Sequence, residues 1–162
     1  MKKLDSEKWS GVVLGVNDGL IELTGALVGL SFALQNHNIV ALSGLITGIA
    51  ASLSMAASAY MHARQEIDTD PKIISFFTGV SYLVVVLILV TPYFLLNHVF
   101  SALASMLALA FLIIIFISWR TASWRKHSFW KEFGITLALS LGVAFISFII
   151  GLTVKGFVPL EL

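Results

Sequence analysis

The chain has 162 residues, 58% of them hydrophobic and 12% charged, with a net charge of +1 and no cysteine. A mean hydropathy of +0.95 excludes a soluble domain closed around one core and fits a polytopic membrane protein. Without cysteine there is no disulfide framework or thiolate metal site, and the balanced charge, with no basic run, gives no sign of nucleic-acid binding.

The chain opens on a short polar segment with Lys2, Lys3 and Lys8. The first apolar segment covers residues 11–34. It is too long, and too acidic, for a signal peptide. Asp18 and Glu22 lie within it. At about 100° per residue, Glu7, Gly11, Gly15, Asp18, Glu22, Gly25 and Gly29 share one side of a helix, in a stripe roughly 80° wide. Ionisable groups in a membrane cost roughly 2.5–3.5 kcal/mol each on insertion scales, and they face protein or a water-filled path. Glycines four apart let another helix come close. The stripe therefore reads as a protein-facing seam that attracts cations.

A polar turn at 35–38 leads to the second segment, residues 39–61. An acidic linker at 62–72 follows, holding His62, Glu66, Asp68 and Asp70. The third segment is 74–96, with Pro92 near its end, and the fourth is 99–119. A basic, aromatic loop is expected at 120–132, anchored at anionic headgroups. The fifth segment is 133–154, followed by a short tail. Each segment has about the 20 residues a helix needs to cross, and the alternating strands of a barrel are missing. The expectation is an all-α membrane protein of five transmembrane helices forming a single domain, with no separate soluble domain.

With five spans, the N-terminus, the 62–72 linker and the 120–132 loop share one side. That side holds nine of the ten Lys and Arg residues. By the positive-inside rule it is cytoplasmic, with the C-terminus outside. The first two segments are rich in Gly, Ala and Ser; the others carry bulky runs such as Ile113–Ile115. Small residues favour close packing, so helices one and two are expected inside and the rest nearer lipid.

The second segment has a stripe of its own. Gly44, Gly48, Ala51, Met55, Ala59, His62 and Glu66 fall within about 80°. At 1.5 Å per residue, Asp18 and Met55 each lie roughly 9–10 Å inside the cytoplasmic edge, on antiparallel helices. Glu22 lies one turn deeper, and His62, Glu66 and Glu7 lie at the mouth. Carboxylates bind any hard cation, and a thioether biases a site toward transition metals over Mg²⁺ or Ca²⁺. Asp18, Glu22 and Met55 are few for a complete site. A twofold dimer along the seam doubles them.

Gly15-Val16-Asn17-Asp18-Gly19-Leu20, together with Ser52-Leu53-Ser54-Met55 through Tyr60 to Glu66, resembles the vacuolar iron transporter family. Thr91-Pro92-Tyr93 is similar to the Pro-aromatic end of that family's third helix. The resemblance covers nearly the whole five-span layout. It implies a homodimer that moves Fe²⁺ or Mn²⁺, with Co²⁺ and Zn²⁺ as further candidates, out of the cytosol in exchange for protons. It places the metal at Asp18 and Met55 and a gateway acid at Glu7. No permanently bound cofactor is implied. Three features depart from the family pattern. The linker is short where the family carries a glutamate-rich metal-binding domain, Gly11 stands where an acid is common, and Glu22 is an addition. The short length points to a bacterial inner membrane.

Structural readings stand beside these. The competing readings are Asp18 and Glu22 as hydrogen-bonded structural acids, Met55 as a packing residue, His62 as an interfacial side chain, and Glu66, Asp68 and Asp70 as loop solvation. Tyr60 is either a support for the site or an interfacial anchor. His37, His98 and His127 have no ligand-like spacing. Besides a transporter, the sequence admits a non-transporting membrane metal-binding or scaffold subunit. An intramembrane enzyme fits least, since no His-Glu-x-x-His or comparable motif occurs.

Overall fold

The computed structural model describes residues 3–126 and 128–157, without the side chain of Arg125. His127 and the residues 158–162 of the expected tail lie outside the described residues. The described residues form five helices: α1 (Lys3–Leu34), α2 (His37–Ala63), α3 (Pro71–Leu95), α4 (Val99–Arg125) and α5 (Phe129–Phe157), with no strand among them. All five are long and apolar enough to cross a membrane.

The helices run further than their apolar cores. α1 begins at Lys3, and its 32 residues span about 48 Å at 1.5 Å each, beyond the ~30 Å of a hydrocarbon layer. Of the basic, aromatic loop expected at 120–132, residues 120–125 and 129–132 are helical. Hydropathy marks where a helix meets lipid, not where its backbone bonds stop. What stops these helices is local. Asn36 caps α2, its Oδ1 accepting from the Asn38 and Ile39 amides, and Gln35 before it takes a left-handed φ of 50°. Asp70 caps α3 through the Lys72 amide at 3.0 Å, with Pro71 in the first turn. Lys126 closes α4 in the left-handed region.

α1 is the axis of the bundle. It packs against each of the other four helices, which follow one another around it as α2, α3, α4, α5. No extensive contact joins α2 back to α5, so α1 is incompletely covered there. In its most apolar window, α1 is 56% buried, against 28% for α2 and 39% for α3. The expected inner pair is thus half right within one chain. α1 is central, but α2 lies outside, mostly against α3, with Leu42, Ile46 and Leu53 exposed. Part of its small-residue content serves this packing: Gly44 lies under Leu27 and Val90, Gly48 under Val86, and Ala56 against Gly79, while Ala50, Ser54, Ala57 and Ser58 are exposed.

The α1 glycine stripe does not run along one partner. Gly11 and Gly15 face α3, where a Cβ at Gly11 would lie 2.7 Å from the Ile74 carbonyl. Gly25 and Gly29 face α5, where Gly29 meets Ser147 and Gly151 backbone to backbone. A seam between chains is therefore not what these glycines make; they let α3 and α5 approach α1 within one chain. Gly29→Leu should accordingly destabilise the folded chain itself. The added side chain has no free volume, and overpacking of this kind costs about 1–3 kcal/mol or more. A clearly lowered midpoint in detergent thermal unfolding is expected, whatever the oligomeric state. An unchanged midpoint would contradict this packing.

At the end away from the α2–α3 linker, the buried Ser31 and Tyr93 hydroxyls pair at 2.8 Å, and His37 Nδ1 meets the Tyr93 carbonyl oxygen at 3.2 Å. At the linker end, Trp9 packs edge-on to Trp124 under the Arg120 guanidinium. Tyr60 at that end has the Arg64 guanidinium 6.0 Å from its ring centre. The two ends of the bundle are each tied across helices.

Candidate functional site

A cavity of about 440 Å³ opens at the linker end beside α1. Asn17 and Asp18 line it from α1, Ala59 and His62 from α2, Glu66 from the turn after α2, and Glu132 from the start of α5. Asp18 is half-buried, about one helical turn from Leu14 and two from Ser10 on the mouth side. His62 Nδ1 stands 3.7 Å from Glu66 Oε1. The Asn17 side-chain Oδ1 is buried and, among the described residues, has no hydrogen-bond partner. Such an acceptor is costly unless a donor, water or cation meets it. Three carboxylates and an unsatisfied amide oxygen make the cavity cation-attracting, and its oxygen and imidazole donors suit divalent metals.

Of the expected residues, Asp18, His62 and Glu66 meet in this cavity, and Glu7, Glu22 and Met55 do not line it. Glu7 is buried, and its Oε1 accepts from the Asp70 amide at 3.3 Å. That bond ties the start of α1 to the linker. Met55 is half-buried and packs against the apolar core, one turn deeper along α2 than the cavity residue Ala59, about 6 Å. Glu22 is exposed, one turn beyond Asp18, and the Tyr82 hydroxyl donates to its Oε2 at 2.6 Å.

Among the described residues, no three His, Asp or Glu side chains are gathered closely enough to hold a metal ion. One chain offers a mouth and an exposed carboxylate deeper in, not a closed coordination shell. Sequence reasoning passed over Asn17 and Glu132. Asn17 was visible as a second polar residue beside Asp18 in an apolar span. Glu132 was hidden because it was placed in a loop, whereas the structure makes it the first turn of α5.

Residues 9–75 match the VIT family. The matched stretch holds most of α1, all of α2 and the linker, and so contains Asp18, Glu22, Met55, His62 and Glu66. No curated protein matches the chain. The five helices, each long and apolar enough to cross a membrane, are those of an integral membrane protein. Most residues lining the cavity lie in the matched stretch; Thr121 and Glu132 lie outside it.

Proposed function

We propose that the chain exports Fe²⁺ or Mn²⁺ from the cytosol in exchange for protons, along a path that begins in the Asp18 cavity and passes Glu22 between two copies of the chain. The single observation that carries this reading is the cavity itself. It is acidic, opens at the basic end of the bundle, and lies beside α1 with residues of both α2 and α5 in its lining, two helices with no extensive contact to each other among the described residues. A carboxylate exposed deep in an apolar helix, as Glu22 is, fits poorly against lipid. A second copy covering the α2–α5 gap would shelter it and would double the acids. The excess of Lys and Arg supports a cytoplasmic linker end, in a bacterial inner membrane.

In this reading Asp18 is the main ligand, Met55 the soft one, and His62 and Glu66 collect cations at the mouth. Glu7 acts there only indirectly, by holding the linker. Sealed vesicles containing the protein test the proposal: accumulation of Mn²⁺ supports a transporter. Binding without accumulation supports the non-transporting subunit instead.

Met55 gives a separate expectation. Met55→Ala should keep the fold and narrow the preference for Fe²⁺, Mn²⁺ or Co²⁺ over Mg²⁺, because the thioether is the one soft donor. Losing it should cost a few-fold in the transition-metal to Mg²⁺ affinity ratio, read by competition on both proteins. An unchanged order would return Met55 to packing.

A further inference from the structure

Glu22 and Tyr82 form a pair whose geometry has a consequence for metal choice. Tyr82 is fully buried between α1 and α3, beside Gly19. Its ring is held by packing, so its hydroxyl is fixed in space. That hydroxyl donates to Glu22 Oε2 at 2.6 Å, a short bond of the charge-assisted kind. Glu22 itself is exposed, and among the described residues its Oε1 has no hydrogen-bond partner. A long, flexible carboxylate is thus held by a rigid anchor, with one oxygen engaged and the other turned to whatever occupies the gap beside α1.

The geometry points to Tyr82 as a selectivity residue: by holding Oε2, it restricts Glu22 to offering one oxygen to a passing cation. The inference rests on the proposal that Glu22 lies on the metal path. A carboxylate can bind with one oxygen or two. Ca²⁺ takes 6–8 oxygen ligands at 2.3–2.6 Å, often with bidentate carboxylates. Smaller transition-metal ions reach their coordination number with fewer donors and accept nitrogen or sulfur as well. A single available oxygen on Glu22 therefore disfavours Ca²⁺ more than Mn²⁺ or Fe²⁺. Tyr82 is a positioning residue here. It acts on the ion through Glu22 and does not itself need to touch it.

The test is Mn²⁺ binding to the full-length protein in detergent, with Ca²⁺ as competitor. Tyr82→Phe keeps the ring and removes only the hydroxyl. The expected result is that Ca²⁺ displaces Mn²⁺ from Tyr82→Phe at a concentration about fivefold lower, or more, than from wild type. In a Glu22→Gln background the same substitution should have no effect on competition. Glu22→Asp draws the carboxylate back from the hydroxyl and should also raise sensitivity to Ca²⁺, which keeps the idea testable if Tyr82→Phe folds poorly. Wild-type competition in Tyr82→Phe and Glu22→Asp, with Mn²⁺ binding weakened in Glu22→Gln, would overturn the inference and leave Glu22 on the path. Unchanged Mn²⁺ binding in Glu22→Gln would remove Glu22 from the path, and the inference with it.

Discussion

Asp18→Asn is expected to reduce metal uptake to background while leaving the protein folded. Asp18 is the carboxylate common to the cavity and to the helix face that leads deeper, lining the cavity from α1 with Glu22 one turn further on. Asparagine keeps the shape and one oxygen but loses the charge. Interactions with a charged group are worth about 1.5–3 kcal/mol, which is roughly tenfold to more than a hundredfold in affinity. A direct metal ligand should sit at the upper end. The loss should appear in binding as well as in flux, because no neighbouring acid takes its place: Glu66 is at the mouth, and Glu22 is anchored by Tyr82. Uptake in Asp18→Asn equal to wild type would remove the site.

Glu22→Gln is expected to separate binding from transport. Metal binding should weaken only a few-fold, since Asp18 remains, but flux and its proton coupling should fall sharply. Asp18 and Glu22 are four residues apart and so neighbour each other on the helix face. Two carboxylates at that spacing repel when both are charged, and a divalent cation between them relieves the repulsion and expels protons. Protons arriving from the far side then release the metal. Acidifying that far side should accordingly speed wild-type export, and Glu22→Gln should lose most of this acceleration. Flux assayed over a range of trans-side pH reads both effects. If the mutant keeps the full acceleration, Glu22 is not the coupling acid.

Much of the membrane architecture was legible in the sequence. Five apolar runs of the right length needed only the rule that backbone polar groups must be satisfied within a span. Helix ends were less legible, because α1, α4 and α5 extend through polar residues such as Lys3, Arg120 and Glu132 that hydropathy assigns to loops. The glycine stripe was read correctly as a close-packing surface and given the wrong neighbour. Spacing shows that Gly25 and Gly29 face something, but only the three-dimensional arrangement shows that it is Ser147 and Gly151 of α5. Within the site, periodicity put Asp18 level with Met55, and His62, Glu66 and Glu7 at the mouth, whereas the cavity joins Asp18 to His62 and Glu66 and leaves out Met55. Glu7 shared their stripe, yet its carboxylate turns to the Asp70 amide, a choice set by the path of the linker. The Tyr82 anchor on Glu22 joins positions 60 apart in sequence, which no local pattern encodes.

The central claim is exchange of metal for protons, and one measurement tests it most directly. Wild-type protein is reconstituted in vesicles loaded with a pH dye, and Mn²⁺ is added outside while metal uptake and internal pH are followed together. Antiport predicts that Mn²⁺ enters and the interior becomes more alkaline, in proportion and at the same rate. Metal accumulation with no change in internal pH, once leak and membrane potential are controlled, would contradict it.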